Sequence, residues 1–152
     1  MSKSKLVWLV LISLLALVLR WRAALLLPVD YAEPAIASTS FTYAALLRQG
    51  DLQGMVFARD TAGGPSVVKL LYAVGYTLRE ATTAELAPAR ALSVCFGTLQ
   101  VVLLAWLSPI AGLLLAIHTL TIKYTAQAYL EAVPAFGALL AVLAADSTCS
   151  PR

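Results

Sequence analysis

The chain has 152 residues, of which 61% are hydrophobic and 12% charged, and its formal net charge at pH 7 is +3. A soluble domain typically has about 45–50% apolar and about 25% charged residues, so these few charges could not cover the apolar surface in water. The small positive surplus does not indicate nucleic-acid binding. Composition therefore predicts an integral membrane protein.

The first apolar stretch covers residues 6–19, directly after two lysines. As a helix it spans only about 21 Å, whereas the hydrocarbon core of a bilayer is about 30 Å thick. Extending the helix past Arg20 and Arg22 closes this gap, with both arginines expected to reach the lipid headgroups. Residues 6–27 are therefore predicted to form the first span. A cleaved signal peptide is the alternative, although no convincing cleavage site follows.

Residues 28–90 carry most of the charges and several glycines, and they are predicted to form a long loop outside the hydrocarbon core. Pro34 suits the first turn of a helix that runs to about Arg48 and ends before Gly50. A second helix is predicted over residues 66–78, because one face collects Val67, Leu70, Leu71, Val74 and Leu78. Such a helix would lie on the membrane or pack on a soluble domain, and the flanking spans favour the membrane.

Residues 91–122 contain no charge. One helix of that length would be about 48 Å long, which is too long for one span and short for two. Because proline favours helix starts, we predict a tight hairpin of two spans, 91–107 and 110–123, that turns at Ser108 and Pro109. A single tilted, kinked helix is the alternative.

A last apolar run, residues 130–145, is predicted to be the fourth span, followed by a polar tail at 146–152. The amino-terminal lysines slightly favour a cytoplasmic amino terminus. The loop 28–90 and the start of the last span would then share the outer face. The predicted fold is thus all-α: a polytopic transmembrane helical bundle of about four spans, with a long outer loop carrying short amphipathic helices.

Two carboxylates stand at predicted membrane boundaries, Asp30 after the first span and Glu131 at the start of the last. An ionisable group at such a boundary is costly, which makes it a candidate functional residue. A carboxylate partly withdrawn from water has a raised pKa and can act as a general base. A second carboxylate could hold an acceptor or a divalent cation. Alternatively, Glu131 only stabilises a helix amino terminus or pairs with Lys123 or Arg90.

Several basic residues could bind phosphate at headgroup level, because a guanidinium matches two phosphate oxygens at once. Simple anchoring to lipid headgroups is the alternative for most of them. These residues are Arg20, Arg22, Arg48, Arg59, Lys69, Arg79 and Arg90. No cysteine and histidine spacing typical of a metal site occurs, so no metal-binding residues are predicted.

Several short sequence motifs follow one another along the chain. After the first span comes Asp30, with Glu33 close behind; the later motifs are G-D-L at 50–52, G-P-S-V-V-K-L-L-Y at 64–72, A-R-A-L-S at 89–93 and Y-T-A-Q-A-Y-L-E at 124–131. In type and order they resemble the N-terminal part of the GT-C-type membrane glycosyltransferases, which include the protein O-mannosyltransferases and the lipid A aminoarabinose transferases.

The resemblance implies transfer of a sugar from a polyprenyl-phosphate donor to an acceptor hydroxyl at the outer membrane face. Asp30 would be the catalytic carboxylate, and Glu131 would assist it near the acceptor or a divalent cation. The implied substrate-binding residues are Glu33, Lys69, Arg90 and Tyr124. Members of the family have more spans, so the chain is expected to be the N-terminal portion of such an enzyme, inactive alone or dependent on a partner membrane subunit. The alternative is a noncatalytic membrane subunit or scaffold.

Overall fold

The computed structural model describes residues 3–58 and 66–149, and within these ranges every regular element is an α-helix. Arg59, Gly64 and Pro65, which entered the sequence predictions, lie outside the described residues. The predicted all-α class is confirmed for the described part of the chain. The eight helices found there are α1 (Lys3–Leu26), α2 (Glu33–Gln49), α3 (Leu52–Phe57), α4 (Val67–Leu78), α5 (Leu86–Leu107), α6 (Pro109–Ile117), α7 (Thr119–Ala126) and α8 (Ala132–Cys149).

Two helices, α1 and α5, are long and apolar enough to cross a membrane. The pair α6 and α7 would add a third span if the two helices, bent by 68° at their junction, cross together. The apolar part of α8, Ala132–Ala145, is shorter, and at about 1.5 Å per residue it covers about 21 Å. Length and composition thus support two or three spans. The helix α8 continues to Cys149, so the first four residues of the predicted polar tail, 146–149, are helical.

The predicted turn at Ser108 and Pro109 is present, and α6 folds back along α5, whereas the assignment of both arms as membrane spans stays a prediction. Ser108 ends α5 and begins α6, where its Oγ accepts a hydrogen bond from the Ala111 N–H at 3.4 Å. This arrangement excludes the alternative of one kinked helix. The helix α5 begins at Leu86, five residues before the predicted start of the second span at residue 91, so the loop between the spans is correspondingly shorter.

The hairpin depends on close contact at Gly112. A Cβ atom at this position would lie 2.4 Å from the Cβ and 2.5 Å from the Cα of Ala105. We expect Gly112→Ala to lower the free energy of unfolding in detergent micelles by about 1–3 kcal/mol, because the two helix backbones must separate. The matched control is Gly137→Ala in α8, where a Cβ meets nothing within 4 Å. Equal denaturation midpoints for the two variants would contradict the expectation.

The helix over the predicted third span, 110–123, is interrupted at His118, and the span itself stays a prediction. The backbone of His118 is extended (φ −68°, ψ 113°), and its Nδ1 accepts a hydrogen bond from the Thr121 N–H at 3.3 Å. His118 therefore caps the amino terminus of α7, with its own side chain exposed. The break leaves carbonyl groups in the last turn of α6 without helical partners.

The side chain of Arg20 supplies those partners. It is 0% exposed, and its guanidinium donates to the carbonyls of Leu115 (3.3 Å) and Ala116 (3.4 Å) and to Oγ1 of Thr125 (3.0 Å). The expectation that Arg20 extends to the lipid headgroups is thus wrong, whereas Arg22 remains exposed. A cation at the carboxyl terminus of α6 is also favoured by the helix dipole. Arg20 in α1 therefore stabilises the bend between α6 and α7.

The two helices predicted within residues 28–90 are present as α2 and α4, and the short α3 lies between them. Pro34 lies in the first turn of α2, and Gly50 (φ 72°) ends it in the left-handed conformation. Ser66 caps α4, where its Oγ accepts from the Lys69 N–H at 3.3 Å. The two helices pack against each other around a core that includes fully buried Tyr43, Tyr72 and Tyr76.

Part of the predicted apolar stripe of α4 points away from this core, whereas Leu70 is partly buried and packs against it. Val67 is 70% and Leu78 81% exposed, whereas the opposite face, with Val68 and Tyr72, is buried. The exposed part belongs to the stripe predicted to face lipid. Contact of α4 with the membrane surface stays a prediction.

Candidate functional site

Several chain segments meet at one end of the bundle. The carboxyl terminus of α1, the amino termini of α2 and α5, and the non-helical residues 127–131 between α7 and α8 contact one another there. The opposite end contains the turn between α5 and α6, where Trp8 of α1 lines a cavity together with Pro109. Asp30, which follows α1, and Glu131, which precedes α8, therefore lie at the same end of the bundle. We call residues 127–131 the connecting segment.

A buried ion pair lies at the centre of this end. Oε2 of Glu33 is 2.6 Å from Nη2 of Arg90, and its Oε1 accepts from Arg90 Nε at 2.9 Å. Glu33 is 0% exposed. Burial alone would raise the pKa of Glu33, but hydrogen bonds from Arg90 and two backbone N–H groups outweigh it and lower that pKa. Glu33 is therefore ionised at neutral pH.

Both partners also bind backbone groups. The Glu33 carboxylate accepts from the N–H of Ala128 (2.7 Å) and of Asp30 (3.0 Å). Arg90 donates to three carbonyls, those of Ala24 (2.6 Å), Leu27 (3.1 Å) and Pro28 (3.2 Å). These contacts use the four acceptor positions of the carboxylate and all five N–H donors of the guanidinium. The predicted substrate contacts of Glu33 and Arg90 stay predictions, and the observed contacts give both residues a positioning role.

Asp30 lies beside Tyr129 of the connecting segment. A hydrogen bond from the Tyr129 side chain lowers the pKa of Asp30 below its ordinary value of 3.8 and outweighs the opposing effect of burial. The Ala32 N–H, 3.5 Å from Oδ1, and the charge of Lys123 act in the same direction. The raised pKa expected from the sequence is therefore wrong for Asp30. Its carboxylate is ionised throughout the neutral range.

Glu131 lies where two cavities meet. The first, of about 410 Å³, is lined by Tyr31, Tyr129, Glu131 and four aliphatic residues, and we call it the tyrosine cavity. The second, of about 320 Å³, is lined in part by Gln100, Tyr124 and Glu131, and we call it the glutamine cavity. The Glu131 side chain is exposed. The structure thus brings Glu131 and the chain next to Asp30 to one cavity.

The predicted substrate-binding residues differ in their surroundings. Tyr124 lines the glutamine cavity, and its ring centroid is 5.4 Å from that of Tyr129. Lys69 is 0% exposed and belongs to the face of α4 that packs on α2. A direct contact of Lys69 with phosphate therefore stays a prediction that burial does not favour. Among residues 3–58 and 66–149, no group of three or more His, Cys, Asp or Glu side chains could hold a metal ion.

Two side chains bind the backbone of the connecting segment, and a third binds Ala132, the first residue of α8 directly after it. The backbone of this segment is not helical, and such backbone is tolerated at membrane depth only where protein or water satisfies its polar groups. Glu33 of α2 accepts from the Ala128 N–H, Tyr72 of α4 donates to the Tyr129 carbonyl at 2.6 Å, and Gln100 of α5 donates to the Ala132 carbonyl at 2.5 Å.

Tyr72, Gln100 and Tyr129 were not identified from the sequence as site residues. One signal was present for Gln100, because buried polar residues recur along one face of the largely apolar α5. Arg90, Ser93 and Gln100 recur there at helical spacing, and all three are buried. Polar residues on one face of an apolar helix indicate a face directed into the protein.

No known protein family matches this chain, and no curated protein or solved structure was found to be similar to it.

Proposed function

We propose that this chain is a membrane glycosyltransferase-like protein, the N-terminal portion of an enzyme that moves a sugar from a polyprenyl-phosphate donor to an acceptor hydroxyl. The observation that supports this proposal is the shared position of Asp30 and Glu131 at one end of the bundle, beside the tyrosine cavity. In the same proposal α8 provides a fourth span, the amino terminus is cytoplasmic, and this end of the bundle faces outward.

In the proposed reaction the acceptor oxygen forms a bond to the anomeric carbon of the donor sugar. The bond between that carbon and the phosphate oxygen breaks, and polyprenyl phosphate leaves with the electron pair. Asp30 takes the proton of the acceptor hydroxyl, and Glu131 orients the acceptor. Glu33 and Arg90 position both chain segments, because the Glu33 carboxylate binds the N–H of Asp30 and of Ala128.

The decisive change is Asp30→Asn, assayed in membranes supplied with a polyprenyl-phosphate sugar, an acceptor and, where needed, the partner subunit. Loss of a general base should lower the transfer rate by at least about 10²-fold. Asp51→Asn is the matched control, because Asp51 is exposed and caps α3, and asparagine caps a helix as well as aspartate. Equal rates for the two variants would remove the catalytic role of Asp30.

The lowered pKa of Asp30 sets the pH dependence of this reaction. The basic form exists above the pKa, which lies below 3.8, so the contribution of Asp30 stays constant across the neutral range and falls only in acid. Tyr129→Phe removes the largest cause of the shift and should move the acid limb of the rate profile to higher pH.

A second candidate function is a noncatalytic membrane subunit. This function is favoured because the polar atoms of Glu33 and Arg90 are all hydrogen-bonded to groups of the same chain. A purely structural role requires such contacts. Co-purification of a larger membrane protein, with transfer by that complex unaffected by Asp30→Asn, would support this function over the first.

A further inference from the structure

Three carboxylates occur at this end of the bundle, and two of them have partners of their own. Glu33 is paired with Arg90. Asp30 is hydrogen-bonded by Tyr129 and lies in the field of Lys123. Among the described residues, Glu131 forms no ion pair, so the alternative pairing of Glu131 with Lys123 or Arg90 is not observed. Its negative charge is therefore available to a ligand in the adjoining cavities.

The walls of the tyrosine cavity suit a particular kind of cation. Besides Glu131, they consist of the side chains of Tyr31 and Tyr129 and of Ala32, Ala35, Ile36 and Leu130. The lining contains no lysine or arginine. Aromatic rings attract cations through their negative faces, and aliphatic walls favour a cation that carries its own apolar groups. A small metal ion would need several oxygen ligands, whereas an alkylammonium group needs one carboxylate and apolar surface.

A contact between an ammonium group and a tyrosine ring already occurs next to this cavity. Nζ of Lys123 lies 5.7 Å from the centroid of the Tyr124 ring, so an ammonium group already contacts one of the two tyrosines, Tyr124 and Tyr129, whose rings are tilted by 57° to each other. Tyr129, the other member of that pair, lines the tyrosine cavity.

From these observations we infer that the tyrosine cavity is a binding site for an alkylammonium group, such as the trimethylammonium of choline, with Glu131 as its counter-ion and Tyr129 as its aromatic wall. The inference goes beyond the proposed function, because binding requires no sugar transfer. The ammonium group can belong to a lipid headgroup or to a free ligand.

The test is a calorimetric titration of the purified chain in neutral maltoside micelles with choline and with 3,3-dimethylbutan-1-ol, its uncharged analogue of the same shape. Choline should bind, and the neutral analogue should bind about five- to tenfold more weakly. Glu131→Gln should weaken choline binding by a similar factor, and Tyr129→Leu should also weaken it. The control Glu80→Gln removes one negative charge from an exposed residue outside both cavities and should leave the affinity unchanged.

Thermal unfolding of each variant establishes that the protein is folded before titration. Titration in nanodiscs distinguishes a lipid headgroup from a free ligand as the source of the ammonium group. If the cavity binds a headgroup, phosphatidylcholine should compete with choline and weaken its binding, whereas phosphatidylglycerol should not. Equal affinity for choline and its neutral analogue, no binding of either, or unchanged binding by folded Glu131→Gln would overturn the inference. Because the titration needs no donor or acceptor, these outcomes are independent of those for Asp30→Asn.

Discussion

Replacing Arg90 with methionine is expected to lower the free energy of unfolding by about 3–5 kcal/mol, the usual cost of removing one partner from a buried ion pair. The change leaves the Glu33 carboxylate, which is 0% exposed, without its cation. It also removes the donor to the carbonyls of Ala24, Leu27 and Pro28. Chemical denaturation in detergent micelles measures the loss.

The matched control is Arg79→Met, which removes the same charge from an exposed position at the end of α4. Surface substitutions usually change stability by less than about 0.5 kcal/mol. The double variant Glu33→Gln with Arg90→Met should recover part of the loss, since no charge is then left buried. If Arg90→Met is as stable as Arg79→Met, the ion pair does not hold this end of the bundle together.

The same pair makes stability sensitive to acid. The pKa of Glu33 in the folded protein lies below its ordinary value of 4.5. Its contribution to stability is therefore present above 4.5 and is lost as the pH falls through the lower folded value. Glu33→Gln should therefore reduce the loss of unfolding free energy at acid pH. The difference from the unchanged protein measures the contribution of the ion pair.

The second large effect is expected at Arg20. Arg20→Met removes the donor to the buried carbonyl of Ala116 and to the part-buried carbonyl of Leu115, and each unsatisfied group costs about 1–3 kcal/mol. The expected loss of about 2–6 kcal/mol should be visible in micelle denaturation. Hydrogen exchange should also rise in α6 and α7, because the bend between them loses its support.

Arg22→Met is the control for this experiment. It lies two residues away on the same helix with an exposed side chain, so it removes an equal charge without touching the bend. Faster exchange in α6 and α7 for both variants would show that the effect comes from the charge of α1 and not from the contacts of Arg20.

Local signals in the sequence predicted the local structure well. Pro34 and Gly50 correctly marked the ends of α2, and Ser66 marked the start of α4, because these residues act through their own backbone conformation or a cap. The turn at Ser108 and Pro109 was predicted for the same reason.

The break at His118 and the burial of Arg20 could not be predicted in this way. No glycine or proline marks residue 118, and the arginine that satisfies the bend comes from about a hundred residues earlier in the chain. The same holds for the candidate site. Asp30 and Glu131 were chosen for their positions at the ends of apolar runs, whereas the Tyr129 hydrogen bond that lowers the pKa of Asp30 depends on tertiary packing.

The connecting segment has a consequence for how the chain is assembled. Glu33 and Tyr72 bind its Ala128 N–H and Tyr129 carbonyl, and Gln100 binds the adjoining carbonyl of Ala132; all three side chains are synthesised before it. The side chains that bind this region are thus already synthesised when residues 127–131 leave the ribosome. A cut between α5 and α6 would place Glu33 and Tyr72 on one fragment and the backbone groups that they bind, at Ala128 and Tyr129, on the other.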